Sequence, residues 1–331
     1  MTTAPSSRQP VVIPPAVFAE LDDAVLATVA YSDVFDMPIS IARLHRFLVG
    51  APASRADVSA VVDDLVAQDR LGRRDDLAYL AGRSEVLTVH DERAVRAEVM
   101  WGEAERWARW LARVPCIRMV AVTGGLAVDS VAPHDDIDYF IITRPGRLWL
   151  TRLLVLVVAR LAARDGSELC PNYMVTDRAL DMDDRALYVA RELAQMVPVV
   201  SAERCTELRR RNAWLLEYLP NASLEGDTTH EVNVRPGVLT RLAELVFISP
   251  LFTPLERWER RRKIAKLQTV RSRRPEVGRP DESSFSADVC KGHMLGNAAG
   301  IDVAWQSRLD DRSVPAASQA SVAGRGGSSR R

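Results

Sequence analysis

Val120-Ala-Val-Thr-Gly124-Gly125, followed after a ten-residue spacer by Asp136-Ile-Asp138-Tyr-Phe-Ile-Ile-Thr143, decides how the rest of the chain is read. Both runs are apolar and rich in β-branched residues, the mark of buried strands, and a glycine pair closes the first. Side chains alternate faces along a strand, so Asp136 and Asp138 project to one side and Ile137 and Tyr139 to the other. Two carboxylates about 7 Å apart on one strand face, beside a glycine turn, suit a divalent cation carrying a nucleotide's phosphates. With Asp135 they set three acids against an apolar run that has no basic neighbour in sequence. Buried carboxylates are costly without a cation or a raised pKa. The plainer alternative is a solvated strand end and an ordinary turn. His134-Asp135 also admits a His-Asp metal-hydrolase reading, but the sequence offers no evident further His and Asp ligands on other helices.

Gly124-Gly125, the spacer and Asp136-Ile-Asp138-Tyr139 resemble the signature of the nucleotidyltransferase superfamily related to DNA polymerase β. The match covers Val120 to Thr143 directly. The resemblance implies that Asp136 and Asp138 bind Mg²⁺, with Mn²⁺ as an alternative, and carry the chemistry. It further implies that Gly124 and Gly125 hold the phosphates of an NTP substrate by backbone N–H groups, with Thr123 as an adjunct. Glycines let backbone approach phosphate oxygens, and the N–H groups of the turn and of a following helix favour anions. Arg147, at the turn after the second strand, either reaches a phosphate or site carboxylate or is a plain surface arginine. Family members usually supply a third acid from a later strand. The later strand here, Cys170-Pro-Asn-Tyr-Met-Val-Thr176, carries Asn172 instead, with Asp177 just beyond and Asp129 in the spacer. That departure leaves three options: an acid not aligned by sequence, an acceptor needing no such base, or a nucleotide-binding module without turnover.

A chain of 331 residues can hold two or three domains with real cores. The formal net charge is zero, so contact with a polyanion must come from a local patch. The four cysteines, Cys116, Cys170, Cys205 and Cys290, show no metal-site spacing and read as buried thiols in a reducing cytosol. The Thr/Ser/Pro-rich start lacks the apolar core of a targeting signal. The run Leu153 to Ala159 is too short to span a bilayer and reads as a helix buried on a sheet. A cytoplasmic location without membrane contact is therefore expected.

Residues 1–18 read as disordered. Over 19–84, Leu21, Val25, Leu26 and Val29 recur at helix spacing, Ser40 and Ser54 cap two further helices, and Arg70–Arg73 and Leu77–Leu80 form a strand pair. Three helices and a hairpin in that order resemble a winged helix-turn-helix. Its third helix presents Arg55, Asp57, Asp63, Asp64 and Asp69, an acidic face that disfavours DNA and suits an interaction or structural module. An amphipathic helix carrying Trp101, Trp107 and Trp110 links this unit, over 85–114, to a nucleotidyltransferase-like domain over 115–225. Two helices follow near the end of that domain, Arg185–Met196 and Glu203–Tyr218, and Asn212, Trp214, Pro220 and Asn221, in or just after the second, are expected to cover the site.

Residues 226–312 read as helical with a basic run, Arg257, Arg260, Arg261, Arg262, Lys263, Lys266, Arg271, Arg273 and Arg274. Two readings stand for it: contact with RNA, DNA or another polyanion, or a solvated helix against the acidic motif domain. Residues 313–331 read as a disordered tail. Asn172-Tyr173, Ala190-Arg191-Glu192-Leu193 and Asn212-x-Trp214 … Leu219-Pro-Asn221 resemble a group of bacterial proteins that pair a winged helix with a nucleotidyltransferase-like domain. The expected fold is α/β (α+β): a winged helix, then a mixed sheet flanked by helices, then a helical region. The expected function is Mg²⁺-dependent transfer of an NMP from an NTP to a small-molecule, protein or RNA acceptor. The alternatives are an inactive nucleotide-sensing or interaction module and a DNA-binding regulator.

Overall fold

Helix-spaced apolar residues build the first unit of the computed structural model, which describes residues 12, 15–234, 237–272, 284–292, 297–311 and 318–319. The segments expected to be disordered, 1–18 and 313–331, lie largely outside these residues. After β1 (Ala16–Val17), α1 (Leu21–Asp33) buries Val25, Leu26 and Val29 completely. A short β2 (Ile39–Ser40) leads into α2 (Ile41–Arg46), where the Ser40 hydroxyl accepts from Arg43 N–H. Helix α3 (Arg55–Ala67) starts at a reciprocal capping box between Ser54 and Asp57. A hairpin of β3 (Leu71–Arg74) and β4 (Leu77–Leu80) follows, and β2 joins it to make an antiparallel sheet in the order β2-β4-β3. The linking helix α4 (Glu85–Leu111) begins earlier than its tryptophan pattern suggests, because Val86 and Leu87 are also buried.

The second unit begins with β5 (Ile117–Val122), β6 (Ile137–Thr143), α5 (Leu148–Arg164), β7 (Leu169–Thr176), α6 (Leu187–Gln195) and β8 (Val197–Val200). Glu203–Tyr218, read as one helix, is two: α7 (Ala202–Arg211) and α8 (Leu215–Tyr218). Asn212 breaks it, since its side chain accepts from Met182 N–H and donates to the carbonyls of Leu180 and Leu208. Helices α9 (Val238–Ile248) and α10 (Thr253–Ser272) follow, then β9 (Ser284–Phe285), β10 (Val289–Lys291), α11 (Asn297–Asp311) and β11 (Ser318–Gln319), which pairs with β1. The region read as wholly helical thus adds two strands to the main sheet.

That sheet runs β8-β5-β6-β7-β10-β9. Only the β6–β7 pair is parallel, so it is a mixed sheet in a mixed α/β protein that is about 52% helical and 16% strand. Strands β5 and β6 carry fully buried Val120, Val122, Ile141 and Ile142, each worth about 1.5–3 kcal/mol of burial. Pro198 sits in β8 at the sheet edge, where a missing N–H costs least. One continuous apolar cluster joins Leu26, Leu48 and Leu65 of the first unit to Met119, Phe140, Leu193 and Leu219 of the second.

Among the described residues no helix is long and apolar enough to cross a membrane. Helix α5, expected to be buried, buries Trp149, Val155 and Val158 but exposes Leu153, Val157 and Leu161. On α10 the two glutamates of the basic run turn inward, Glu256 and Glu259 being 6% and 3% exposed, while Arg257 and Arg261 face solvent. Arg273 and Arg274 lie outside the described residues.

Candidate functional site

Asp136, just before β6, and Asp138, its second residue, come together at the start of the strand, and register brings a third group to them. Cys170 on β7 is the parallel partner of Asp138 on β6. Ligand atoms of Asp136, Asp138 and Cys170 all lie within 4.8 Å of one another, a grouping able to hold a metal ion. Asp136 is exposed and Asp138 half-buried. Burial, and then the neighbouring Asp136 charge, push the Asp138 carboxyl up to about 7. Hydrogen bonds from the Cys170 thiol and the Asn172 amide act in the opposite direction. The thiol itself is pushed up by burial and the two carboxylates, so it is a hydrogen-bond donor to them at neutral pH.

The glycine turn packs directly on this pair. Thr123 N–H donates to the Asp138 carbonyl at 3.0 Å, locking the end of β5 to the start of β6. Gly124 has φ +67°, and a Cβ there would stand 2.8 Å from Asp138 Oδ2. A Cβ on Gly125 would strike the Ser130 carbonyl. Gly125 therefore needs glycine for space and Gly124 for its backbone conformation, a Cβ at 124 also pushing the Asp138 carboxylate aside. Where an anion-favouring helix was expected after the turn, the chain makes only a 3₁₀ turn of three residues, Leu126–Val128.

One acid beside the site escaped the sequence reading. Glu192 of α6 accepts a hydrogen bond from Gly124 N–H and another from Gln195 Nε2 at 2.6 Å. Burial, followed by the charge of Asp138, raises its carboxyl to about 7. Tyr188, Arg191, Glu192 and Gln195 stand at i, i+3, i+4 and i+7, so they share one helix face. That face lines a cavity of about 450 Å³ together with Gly124 and Gly125. A polar stripe at helix spacing opposite Leu187, Ala190, Leu193 and Ala194 was the signal available in sequence.

The remaining candidates are placed elsewhere. Arg147 lies past the far end of β6, where its guanidinium donates to the carbonyls of Phe247, Ile248 and Ser249. It caps the C-terminus of α9 and is not brought to the aspartates. Asp129 accepts from Trp101 Nε1 at 2.8 Å and pairs with Arg43, tying the spacer to α4 and α2. Asp177 follows the other end of β7. Asp135 is the exception: it stays beside the turn, lining the cavity with Gly125, and accepts from Ala132 N–H at 2.7 Å. Asn221 bridges the two units through Ala53 N–H and the His45 carbonyl and does not cover the aspartates. Arg73 and Arg74 of the β3–β4 hairpin are ion-paired with Asp63 and Asp91. No protein-family model, curated protein or solved structure matches the chain.

Proposed function

We propose that this chain is a metal-dependent nucleotidyltransferase that moves an NMP from an NTP to an acceptor hydroxyl. The observation that carries the reading is the Asp138 carboxyl, pressed up to about 7 by burial beside Asp136 and packed on a turn that only glycine fits. The two carboxylate oxygens suit Mg²⁺ or Mn²⁺, and such a cation would relieve their repulsion, whereas the protonated Cys170 thiol beside them is a poor ligand for either ion. Once bound, the ion would neutralise the triphosphate and align it for in-line displacement at the α-phosphorus. Asp136 and Asp138 would hold the ion, and the Thr123–Gly125 turn would let phosphate approach backbone.

Glu192, which lines the cavity beside Gly124, is our candidate for the base of an acceptor entering it. A carboxyl near 7 is matched to taking a hydroxyl proton at neutral pH. Its hydrogen bond from Gly124 N–H also makes it a competitor for the phosphate oxygen that would use that donor. Cys170 and Asn172 support a second reading, a nucleotide-sensing module without turnover, because they occupy the β7 positions beside Asp138 where a third acid would stand. The three helices and hairpin of the first unit support a winged-helix reading in a protein-contact role. Pairing of Arg73 and Arg74 within the chain leaves fewer cations for DNA phosphate.

The test is incubation with each α-³²P-labelled NTP and Mg²⁺ or Mn²⁺, using cell extract as acceptor, beside Asp136→Ala/Asp138→Ala. Label transferred by the wild type and lost in the variant is expected. Metal-dependent NTP binding without transfer would favour the sensor, and absence of both would overturn the reading.

A further inference from the structure

The cavity beside the glycine turn is walled by both units: Tyr31, Phe35 and Met37 from α1 and its following loop, Arg93 from α4, Arg191 from α6 and Ile301 from α11. About 450 Å³ is the size of a small-molecule site and leaves no room for a folded or polymeric partner. Two guanidinium groups line it, and neither pairs with a carboxylate among the described residues. Arg93 donates to the Phe35 carbonyl at 2.8 Å and to the Ser130 hydroxyl at 3.4 Å. Arg191, 6% exposed, lies over the rings of Tyr31 and Phe47 at 5.1 and 4.4 Å. Its Nε has no hydrogen-bond partner, and neither has the hydroxyl of Ser32, a cavity-lining residue 2% exposed.

Buried donors are nearly always matched, and a buried cation without a counter-charge is costlier still. Glu192 acts on Arg191 electrostatically but is held by Gly124 N–H and Gln195, and Asp135 by Ala132 N–H, so neither forms an ion pair with these arginines among the described residues. Much of the remaining lining is aromatic or aliphatic, with Tyr31 and Phe35 in ring contact at 5.6 Å. We propose that this cavity binds a small aromatic oxyanion, whose charged end is received by the guanidinium groups of Arg191 and Arg93 and whose ring packs on Tyr31 and Phe35. The ligand would contact neither Asp136 nor Asp138, and its binding is read without metal, although Gly124, Gly125 and Glu192 of the proposed nucleotide site share the cavity wall. A planar carboxylate and a phosphate monoester both fit this description, since guanidinium receives either.

Benzoate, phenyl phosphate and benzylamine serve as probes, titrated into the full chain by calorimetry and saturation-transfer NMR without metal. At least one anion is expected to bind saturably with a dissociation constant of about 1 mM or tighter, and benzylamine not to bind. The stronger anion identifies the source of the charge. Arg191→Gln and Arg93→Gln are each expected to weaken binding at least about tenfold, the loss of one charge-assisted bond. Met37→Trp should block the cavity. If Arg191→Gln fails to fold, Arg93→Gln and Met37→Trp decide the matter. Absence of saturable binding of both anions to folded wild type, equal binding of benzylamine, or undiminished affinity in Arg93→Gln and Met37→Trp would each overturn the proposal.

Discussion

A methyl group at position 124 meets two obstacles: the φ of +67° and the Asp138 carboxylate oxygen 2.8 Å from where it would stand. Gly124→Ala should therefore cost about 1–2 kcal/mol of stability from the left-handed backbone alone and should also displace Asp138. Chemical denaturation and Mn²⁺ binding measured together check this, and a variant as stable as wild type with unaltered Mn²⁺ affinity would refute it. Glu192 sets a pH dependence whose sign is fixed by its raised carboxyl, about 7 against an ordinary 4.5. Between those values the folded chain binds the proton and the unfolded chain releases it. Stability from this group is thus present below about 4.5 and is lost as pH rises through about 7. Asp138, likewise raised to about 7, has the same sign. Glu192→Gln stays neutral, so its melting temperature relative to wild type should climb as pH is raised across that interval. A constant difference would argue against a raised carboxyl. At this scale the paired aspartates were legible because strand periodicity is local, two residues per repeat. Cys170 and Glu192 reach them from β7 and α6, and nothing within a strand's length of sequence announces such contacts.

Helices in this protein are capped from outside as much as from within. Helix α5 has no side-chain cap of its own, and its first N–H groups are satisfied by Glu256 of α10, which accepts from Trp149 and Leu150 at 2.9 and 2.8 Å. Glu256→Ala should leave two buried donors unmatched and cost about 1–3 kcal/mol, measured as a fall in denaturation midpoint. A neutral effect would mean that water or another acceptor replaces the carboxylate. The same logic removed Arg147 from the site: its position after β6 suggested phosphate, whereas its donors serve the end of α9. Helices α1 to α4 and the first hairpin were readable from apolar spacing and serine caps. Strand β8 was not, being four residues entered directly from α6, and β9–β10 lie in a region whose basic run dominated its reading. The break between α7 and α8 depends on Asn212, whose bonds to Leu180 and Met182 are made thirty residues away in sequence.

Across the whole molecule, the two units share one core and several ties. Trp305 of α11 donates to the Ala27 carbonyl of α1 at 2.8 Å, and Asp33 is held by both Arg83 and Arg308. Gly50 N–H meets the Tyr218 carbonyl at 2.9 Å, and Arg46 reaches the Ala194 carbonyl. An apolar cluster that runs through both units should melt with them as one, so calorimetry should give a single transition with equal calorimetric and van't Hoff enthalpies. Two separated transitions would show that the units fold independently. The cavity wall needs both units, so a site built there depends on that unity. Whether Asp136 and Asp138 hold a metal–nucleotide complex is read by electron paramagnetic resonance of Mn²⁺. Mn²⁺ is titrated with wild type or Asp136→Asn/Asp138→Asn, in the presence of each nucleoside triphosphate. Because a nucleoside triphosphate chelates Mn²⁺ by itself, each titration is compared with a protein-free one. The account predicts that folded wild type withdraws free Mn²⁺ signal beyond that control with at least one nucleotide and that the folded variant does not. Equal withdrawal by both proteins, or none by the wild type beyond the control, would contradict it.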